Sequence, residues 1–439
     1  MKKRFRPLPL KSIFRFNRIV FLAILFISNL SLIGQTTKVF TKEIEVTEDV
    51  TVESNLPSSF GLKMNGTITT NNTKDHYALH GRSNEIRVNI IKDLNIETWE
   101  RNFVKQETRI TVRTGSEVED SALLEEFKLD LKVGADKRIV VDCNLNMDAF
   151  HMKNHIFMDD DCYVKLSNGK RISINFIEIE TKLYIPKSTN LSVKGNNYAI
   201  IRLGELLGDL RLDLEYTEVY GTKITRLFAN LENCYNVIFQ EVASANISAV
   251  NSFIKIENIG ELTIGESGLV KNGTTSAFTP SKANSALTKY KVGTVGLLMV
   301  MNSDNDSFYA NEVGYMDVKK TNYTKFDIGR LNVTAIISAK NCDFNFALVA
   351  KDFTNIEVEN SLCDLHLHME DSTGYQLQLN RNEYIEFTNR DSSLQLLSND
   401  DNIELYQKGT DNQKGTDNQK GKINITCSRC KLLLDGEHL

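Results

Sequence analysis

The sequence predicts an all-β fold: a β-solenoid (β-helix) with coils of 18–20 residues, preceded by a strand-rich N-terminal region. Three observations predict it: short runs that alternate apolar and polar residues, one short helical stretch, and a motif that recurs every 18 or 19 residues.

The chain opens on Lys2, Lys3, Arg4, Arg6, Lys11, Arg15 and Arg18 with no acid among them, then runs apolar from Ile19 to Ile33 and turns polar at Gly34-Gln35-Thr36. A basic segment, a short apolar run and a small residue predict a secretory signal peptide over 1–34, cleaved near Gly34. Leu32 stands where such sites usually carry a small residue. The alternative is an uncleaved anchor, although ~15 apolar residues fall short of the ~20 a spanning helix needs. No lipid-attachment cysteine and no second long apolar run follow, so no stable membrane span is expected after cleavage.

Residues 35–182 read as strands separated by Asn, Gly, Asp and Ser. Lys38 to Val52, Ile86 to Ile90, Thr108 to Val112, Phe127 to Val133, Arg171 to Ile179 and Leu183 to Pro186 all alternate with period two. Only Asp120 to Glu126 reads as helix, capped by Asp120 or Ser121.

From 183 to 398 the repeat emerges. Asn197-Tyr198, Glu215-Tyr216, Asn233-Cys234 and Asn251-Ser252 recur at steps of 18, and Asn322-Tyr323, Asn341-Cys342 and Asn360-Ser361 at steps of 19. Each precedes an alternating run, such as Ile254-Lys-Ile256, Phe326-Asp-Ile328, Phe344-Asn-Phe346 or Leu365-His-Leu367. One such unit cannot bury its apolar side alone, so units are expected to stack, with Asn at corners that need a left-handed backbone. An antiparallel sandwich is the competing architecture. The repeat lapses at 268–290, read as a loop, and at 399–421, where Lys408-Gly-Thr-Asp-Asn-Gln413 is duplicated as Lys414 to Gln419 and reads as a polar loop. A final strand is expected within 422–439.

These residues resemble a known family. Ile96-Glu-Thr-Trp99-Glu-Arg101, the helix-like Leu123-Leu-Glu-Glu-Phe127, Leu183-Tyr-Ile-Pro186-Lys187, Asn196-Asn-Tyr198-Ala-Ile-Ile201 and Gly208 to Tyr216 occur in the order seen in secreted adhesin-like β-solenoid proteins of Bacteroidota. The resemblance runs from about residue 75 to the C-terminus. Ala199 and Thr217 stand where that pattern usually has Gly. It implies an exported solenoid named for adhesion by analogy, and it supplies no catalytic residues.

Charge narrows the partners. The whole chain carries −5; the seven basic residues of the N-terminus account for +7, leaving the remainder at −12. Such a body is a poor match for phosphate backbones, so no nucleic-acid partner is expected. A glycan or a cell-surface component is the expected partner, and no cofactor is expected.

Candidate chemistry is sparse. His366-Leu-His368 puts two imidazoles on one strand face without a third ligand. His151-Met-Lys-Asn-His155 followed by Asp159-Asp-Asp161 lacks both the zinc-protease Glu and the alternate spacing of a calcium loop. Cys427-Ser-Arg-Cys430 has redox-type spacing but lies in a strand-like run, which favours buried small residues or a local disulfide. Aligning repeats on their Asn corners sets Asp343 beside Leu362 and Asp364 beside Asn345, so no column of carboxylates emerges. Tyr198, Tyr216, Tyr235, Tyr323 and Tyr375 could stack sugars or pack inward. No catalytic, cofactor-binding or metal-ligating residue is assigned, and a non-enzymatic interaction protein is expected. A polysaccharide hydrolase or lyase is the alternative.

Overall fold

The structure, a computed structural model, describes residues 36–45, 51–55, 89–125, 128–133, 138–144, 150–151, 163–166, 168–173, 176–196, 200–265, 285–370, 373–380, 385–400, 402–409 and 421–436. The expected signal peptide, most of the 268–290 loop and most of the duplicated hexapeptide lie outside them.

Among the described residues the fold is almost all β, with one helix. That helix spans Glu117–Glu125 and starts earlier than its sequence suggests. Ser116 is the cap, its hydroxyl accepting the Glu119 amide at 3.3 Å. Asp120 is instead buried, taking the Thr114 amide at 2.7 Å and the Thr36 hydroxyl at 3.0 Å.

Twenty-seven strands belong to one hydrogen-bonded sheet, and three short ones form a second. Most pairings in the large sheet are parallel between segments one repeat apart. Val219 pairs Val237, Val237 pairs Ile254, Ile254 pairs Tyr290, and Tyr290, Phe308, Phe326 and Phe344 then follow at steps of 18. The 36-residue step to Tyr290 skips one repeat length and contains residues 266–284. The chain has rejoined the sheet by Ser285–Ala286 and Lys289–Val300, earlier than the expected loop end at 290.

Alternation decides what faces inward. Ile254, Ile256, Phe344, Phe346, Leu365 and Leu367 are all buried, as period-two reading of their strands requires. The rings of Tyr290, Phe308, Phe326 and Phe344 stack nearly parallel, with centroids 4.5, 5.0 and 4.7 Å apart. Such offset stacks add to the area each ring buries. Where the chain bends outward, Gly260, Gly296 and Gly314 lie one above another; a Cβ on Gly314 would sit 2.5 Å from the carbonyl oxygen of Gly296. Only glycine lets the layers approach so closely there.

The corners correct the alignment drawn from sequence. Asn233, Asn251, Asn305 and Asn341 do take the left-handed backbone, with φ between 49° and 56°. The other corners are Tyr216, Leu287, Tyr323, Leu362 and Arg429. Tyr216 therefore stacks on Asn233 rather than Cys234, and Cys234 stacks on Thr217; Ser252 does follow Cys234, accepting its amide at 3.1 Å. Asn322 pairs Lys340, and Asn360 pairs Ala339, so Asn322, Asn341 and Asn360 do not form a column. Two irregularities cause the slips. Tyr235 is an extra residue in its repeat, and the turn at 350–354 lengthens the step from Phe344 to Leu365 to 21.

The expected boundary at 182/183 is not a break. Phe176–Pro186 pairs in parallel with Asn89–Trp99, and Thr51–Asn55 pairs with both Arg138–Asn144 and Asn190–Asn196. The 399–421 segment is also not simply a loop, because Ile403–Lys408 is a strand antiparallel to Tyr375–Asn380 and to Gln395–Asp400. The final strands, Gly421–Ser428 and Cys430–Gly436, insert between earlier ones. Gly421–Ser428 lies between Asn355–Ser361 and Tyr375–Asn380, and Cys430–Gly436 between Asp364–Met369 and Ile385–Asn389. A buried ion pair closes this end. Lys408 Nζ lies 2.8 Å from Asp391 Oδ2, which also accepts the Tyr375 hydroxyl.

Candidate functional site

Since alternate residues of each strand face solvent, the register fixes which outward side chains become neighbours. Two adjacent outward columns run Phe253, Lys289, Ser307, Lys325 and Lys255, Lys291, Tyr309, Asp327. Neighbours within a column are about 4.8 Å apart, and the two columns are about 7 Å apart along the strands. Four lysines are thereby gathered around Tyr309 on one face of a chain whose overall charge is negative. Lys289 Nζ lies 5.0 Å from the centre of the Tyr309 ring, within cation–π range.

Two of the four lysines have acidic partners. Lys255 lies 3.4 Å from Glu257, and Lys325 lies 3.1 Å from Asp327, whose hydrogen bond holds its ammonium above the ordinary lysine value. Lys289 and Lys291 have no ion-pair partner among the described residues, and Lys291 sits directly opposite Lys255 in the register. Like charges facing each other across strands are destabilising. An anion binding between the columns would remove that repulsion, and the half-buried Phe253 and Ile238 supply apolar surface beside it. The signal was present in the sequence: Lys255 and Lys291, like Lys289 and Lys325, are separated by 36 residues, twice the repeat.

The residues singled out from sequence are placed as follows. His366 Nε2 lies 2.7 Å from Asp435 Oδ2, and His368 pairs with Asp435 in the register. Among the described residues no group of three or more His, Cys, Asp or Glu is arranged to hold a metal. His151 ends a two-residue strand, while His155 and Asp159 to Asp161 lie outside the described residues. Cys427 and Cys430 form a disulfide across the Arg429 corner, with Cα atoms 5.9 Å apart. Tyr375 is buried, Tyr216, Tyr235 and Tyr323 are exposed, and Tyr198 is outside the described residues. The exposed three do not line up, since Tyr323 is several repeats from the other two.

The carboxylate alignment needs correction. Asp343 pairs directly with Asp364, with Lys325 on one side of the pair and Lys431 on the other. Counting from the Asn corners missed this, because Leu362, not Asn360, stacks on Asn341.

No helix among the described residues is long and apolar enough to cross a membrane. No family model matches the sequence, and no curated protein matches it. A solved structure from Clostridium sporogenes, a "putative cell adhesion protein", is similar over 92% of this chain and 100% of its own. Its identity is 11% and its TM-score 0.17, a similarity that carries no argument.

Proposed function

We propose that this chain is an exported, non-enzymatic interaction protein of the adhesin-like type. In this reading its parallel stack is a β-solenoid that presents Lys255, Lys289, Lys291, Lys325 and Tyr309 to an acidic glycan of a cell surface or envelope. The basic and then apolar N-terminus supports export. The register at steps of 18, with apolar columns inward, supports the solenoid. The observation that carries the ligand class is the column in which Lys291 faces Lys255 without a carboxylate of its own. Lysines spaced by the strand lattice suit a repeating anionic polymer, and a neighbouring tyrosine face suits a sugar ring.

The test is a glycan array with the purified chain, followed by titration of the strongest acidic polysaccharide into the wild type and Lys289→Glu/Lys291→Glu. Binding should favour acidic over neutral glycans and weaken as salt rises. The double variant should lose about tenfold or more in affinity, since each charged hydrogen bond contributes ~1.5–3 kcal/mol. Binding that ignores both salt and the double substitution would refute the patch. Export is checked separately: the N-terminus of envelope or medium protein should lie within a few residues of Gln35, and recovery from cytosol would refute it.

One observation favours a second reading. The adjacent Asp343 and Asp364 are the kind of close carboxylate pair that a retaining glycoside hydrolase uses. Release of product from acidic or neutral polysaccharide that disappears in Asp343→Asn or Asp364→Asn would establish that reading over the first.

A further inference from the structure

The inward position just after each corner forms a column through the stack. Its members run Thr217, Cys234, Ser252, Thr288, Asp306, Thr324, Cys342, Cys363 and Cys430. Most accept a backbone amide from the layer before. Ser252 Oγ takes the Cys234 amide at 3.1 Å, Asp306 Oδ1 the Thr288 amide at 2.7 Å, and Cys363 Sγ the Cys342 amide at 3.4 Å. A hydroxyl suffices for that duty in much of the column, yet its last three members are all cysteines. Cys430 is already bonded to Cys427.

We propose that Cys342, Cys363, Cys430 and Cys427 form an internal disulfide-exchange site, through which the Cys427–Cys430 disulfide is transferred to a Cys342–Cys363 link between adjacent layers. The register makes each step a neighbour reaction. Asp343 pairs Asp364 and Asp364 pairs Lys431, so Cys342, Cys363 and Cys430 occupy successive layers. Paired strands lie about 4.8 Å apart, inside the ~4.4–6.8 Å Cα separation a disulfide spans. All four residues are buried, and Cys342 and Cys363 are free.

The exchange balances without an external oxidant. The Cys363 thiolate attacks Sγ of Cys430, the Cys427–Cys430 bond breaks, and Cys427 leaves as a thiolate that takes up the proton Cys363 released. Cys342 then loses its proton and attacks Sγ of Cys363. The Cys363–Cys430 bond breaks, and the departing Cys430 thiolate is protonated. One disulfide and two thiols stand on each side of the reaction. Hydrogen bonding from the Cys342 thiol and amide holds Cys363 below the ordinary thiol range against its burial, and the same thiol contact raises Cys342. This favours Cys363 as the first nucleophile.

Cys234 is the built-in control. It occupies the same column, but its neighbours there are Thr217 and Ser252, and burial pushes its thiol up to about 11. It has no sulfur to exchange with in either adjacent layer.

The experiment uses the full chain purified without reductant. It is held at pH 8 for about a day, quenched with acid, alkylated and mapped as non-reduced tryptic peptides. Cleavage after Arg429 puts Cys427 and Cys430 on separate peptides, so each pairing is distinguishable. About a tenth or more of the disulfide should be found as Cys342–Cys363 or Cys363–Cys430. Cys363→Ser should reduce both to none, and Cys234→Ser should leave them unchanged. Cys342→Ser serves as a second variant should Cys363→Ser fail to fold, and it should halt the transfer at Cys363–Cys430. Wild-type protein that holds only Cys427–Cys430 throughout would overturn the proposal, as would unchanged transfer in Cys363→Ser.

Discussion

From Lys289 to Phe346 the order of strands in space is their order in the chain; from Asp343 to Gly436 it is not. In the first region Tyr290, Phe308, Phe326 and Phe344 pair at constant steps of 18, and their rings form one stack. In the second, Phe344 pairs Leu365 after 21 residues, Leu365 pairs Leu432 after 67, and Leu432 turns back to pair Phe387. The physical rule is the same in both: apolar residues inward, parallel neighbours about 4.8 Å apart. What differs is where the chain finds its neighbour. A local neighbour leaves a period in the sequence, whereas a neighbour supplied by an inserted terminal segment leaves none. The second region also carries features absent from the first: a disulfide, a buried ion pair and an antiparallel cover.

The comparison breaks most severely at a column shared by both regions. Phe346 pairs Leu367, and Leu367 pairs Leu434, all fully buried. Phe346→Asp should destabilise by about 4–5 kcal/mol or more, because it buries a charge without a partner. Leu434→Asp should be nearly as damaging even though it lies near the end of the sequence, since its strand has a neighbour on both sides. Urea unfolding of both variants checks this. A Leu434 variant close to wild type would mean the terminal strands fray rather than insert.

A second break is specific to the closing end. Lys408→Met leaves Asp391 buried without its ammonium. Burial alone would raise that carboxyl, but Lys408 and the Ser393 donors outweigh it and keep it below the usual range. Removing one partner of such a pair costs ~3–5 kcal/mol. Thermal unfolding of Lys408→Met beside Lys408→Met/Asp391→Asn should show the double variant recovering part of the loss.

The regular region has its own sensitive point at Asp306, the one carboxyl in the inward column. It accepts the Thr288 amide and the Ser303 hydroxyl at 2.7 Å each, and burial raises its pKa to about 6. Because the folded value lies above the unfolded one, its contribution is fully present below about pH 4. That contribution is lost as pH rises through about 6. Asp306→Asn should therefore stabilise the protein by ~2–3 kcal/mol above pH 6, since each tenfold change in proton affinity between folded and unfolded chain corresponds to ~1.4 kcal/mol. Below pH 4 it should change little. Denaturation measured from pH 4 to 7.5 shows whether the variant's curve is flatter across that window.

The smallest expected effect concerns the duplicated hexapeptide. Lys408 and Gly421 pair with Tyr375 from opposite sides, so the link between them must cross two strand spacings, about 10 Å. Six residues reach ~20 Å. Deleting Lys414 to Gln419 should shift stability by less than ~0.6 kcal/mol. Deleting all of 409–420 leaves a single peptide bond of ~3.8 Å for that gap and should prevent the terminal strands from inserting.

Much of the β architecture was legible because alternation reports burial directly: the inward residues named from Ile254 to Leu367 are all buried. The corners were half legible. Asn marks a left-handed backbone at Asn233, Asn251 and Asn341, but Tyr323 and Leu362 adopt it as well. Asn360 is an inward residue whose Oδ1 accepts the Ala339 amide at 2.9 Å. Those slips concealed the Asp343–Asp364 contact, and the lysine patch went unread because its members recur at twice the repeat. Nothing local in the sequence marks the insertion of the terminal strands, which depends on partners 67 residues away.

The lysine patch, the thiol column and the inserted terminus all rest on the same register, so cross-linking it is the most direct test. Glu357 pairs Asn424, and Asn424 pairs Gln378, all outward-facing by strand alternation. Glu357→Cys/Asn424→Cys and Asn424→Cys/Gln378→Cys should each form a disulfide under mild oxidation, identified by mass spectrometry. Glu357→Cys/Gln378→Cys should form none, because an intervening strand holds the pair about 10 Å apart, beyond the ~7 Å limit for a bridge. Efficient cross-linking of Glu357→Cys/Gln378→Cys, with little in the other two, would show the earlier strands paired directly and contradict the inserted arrangement.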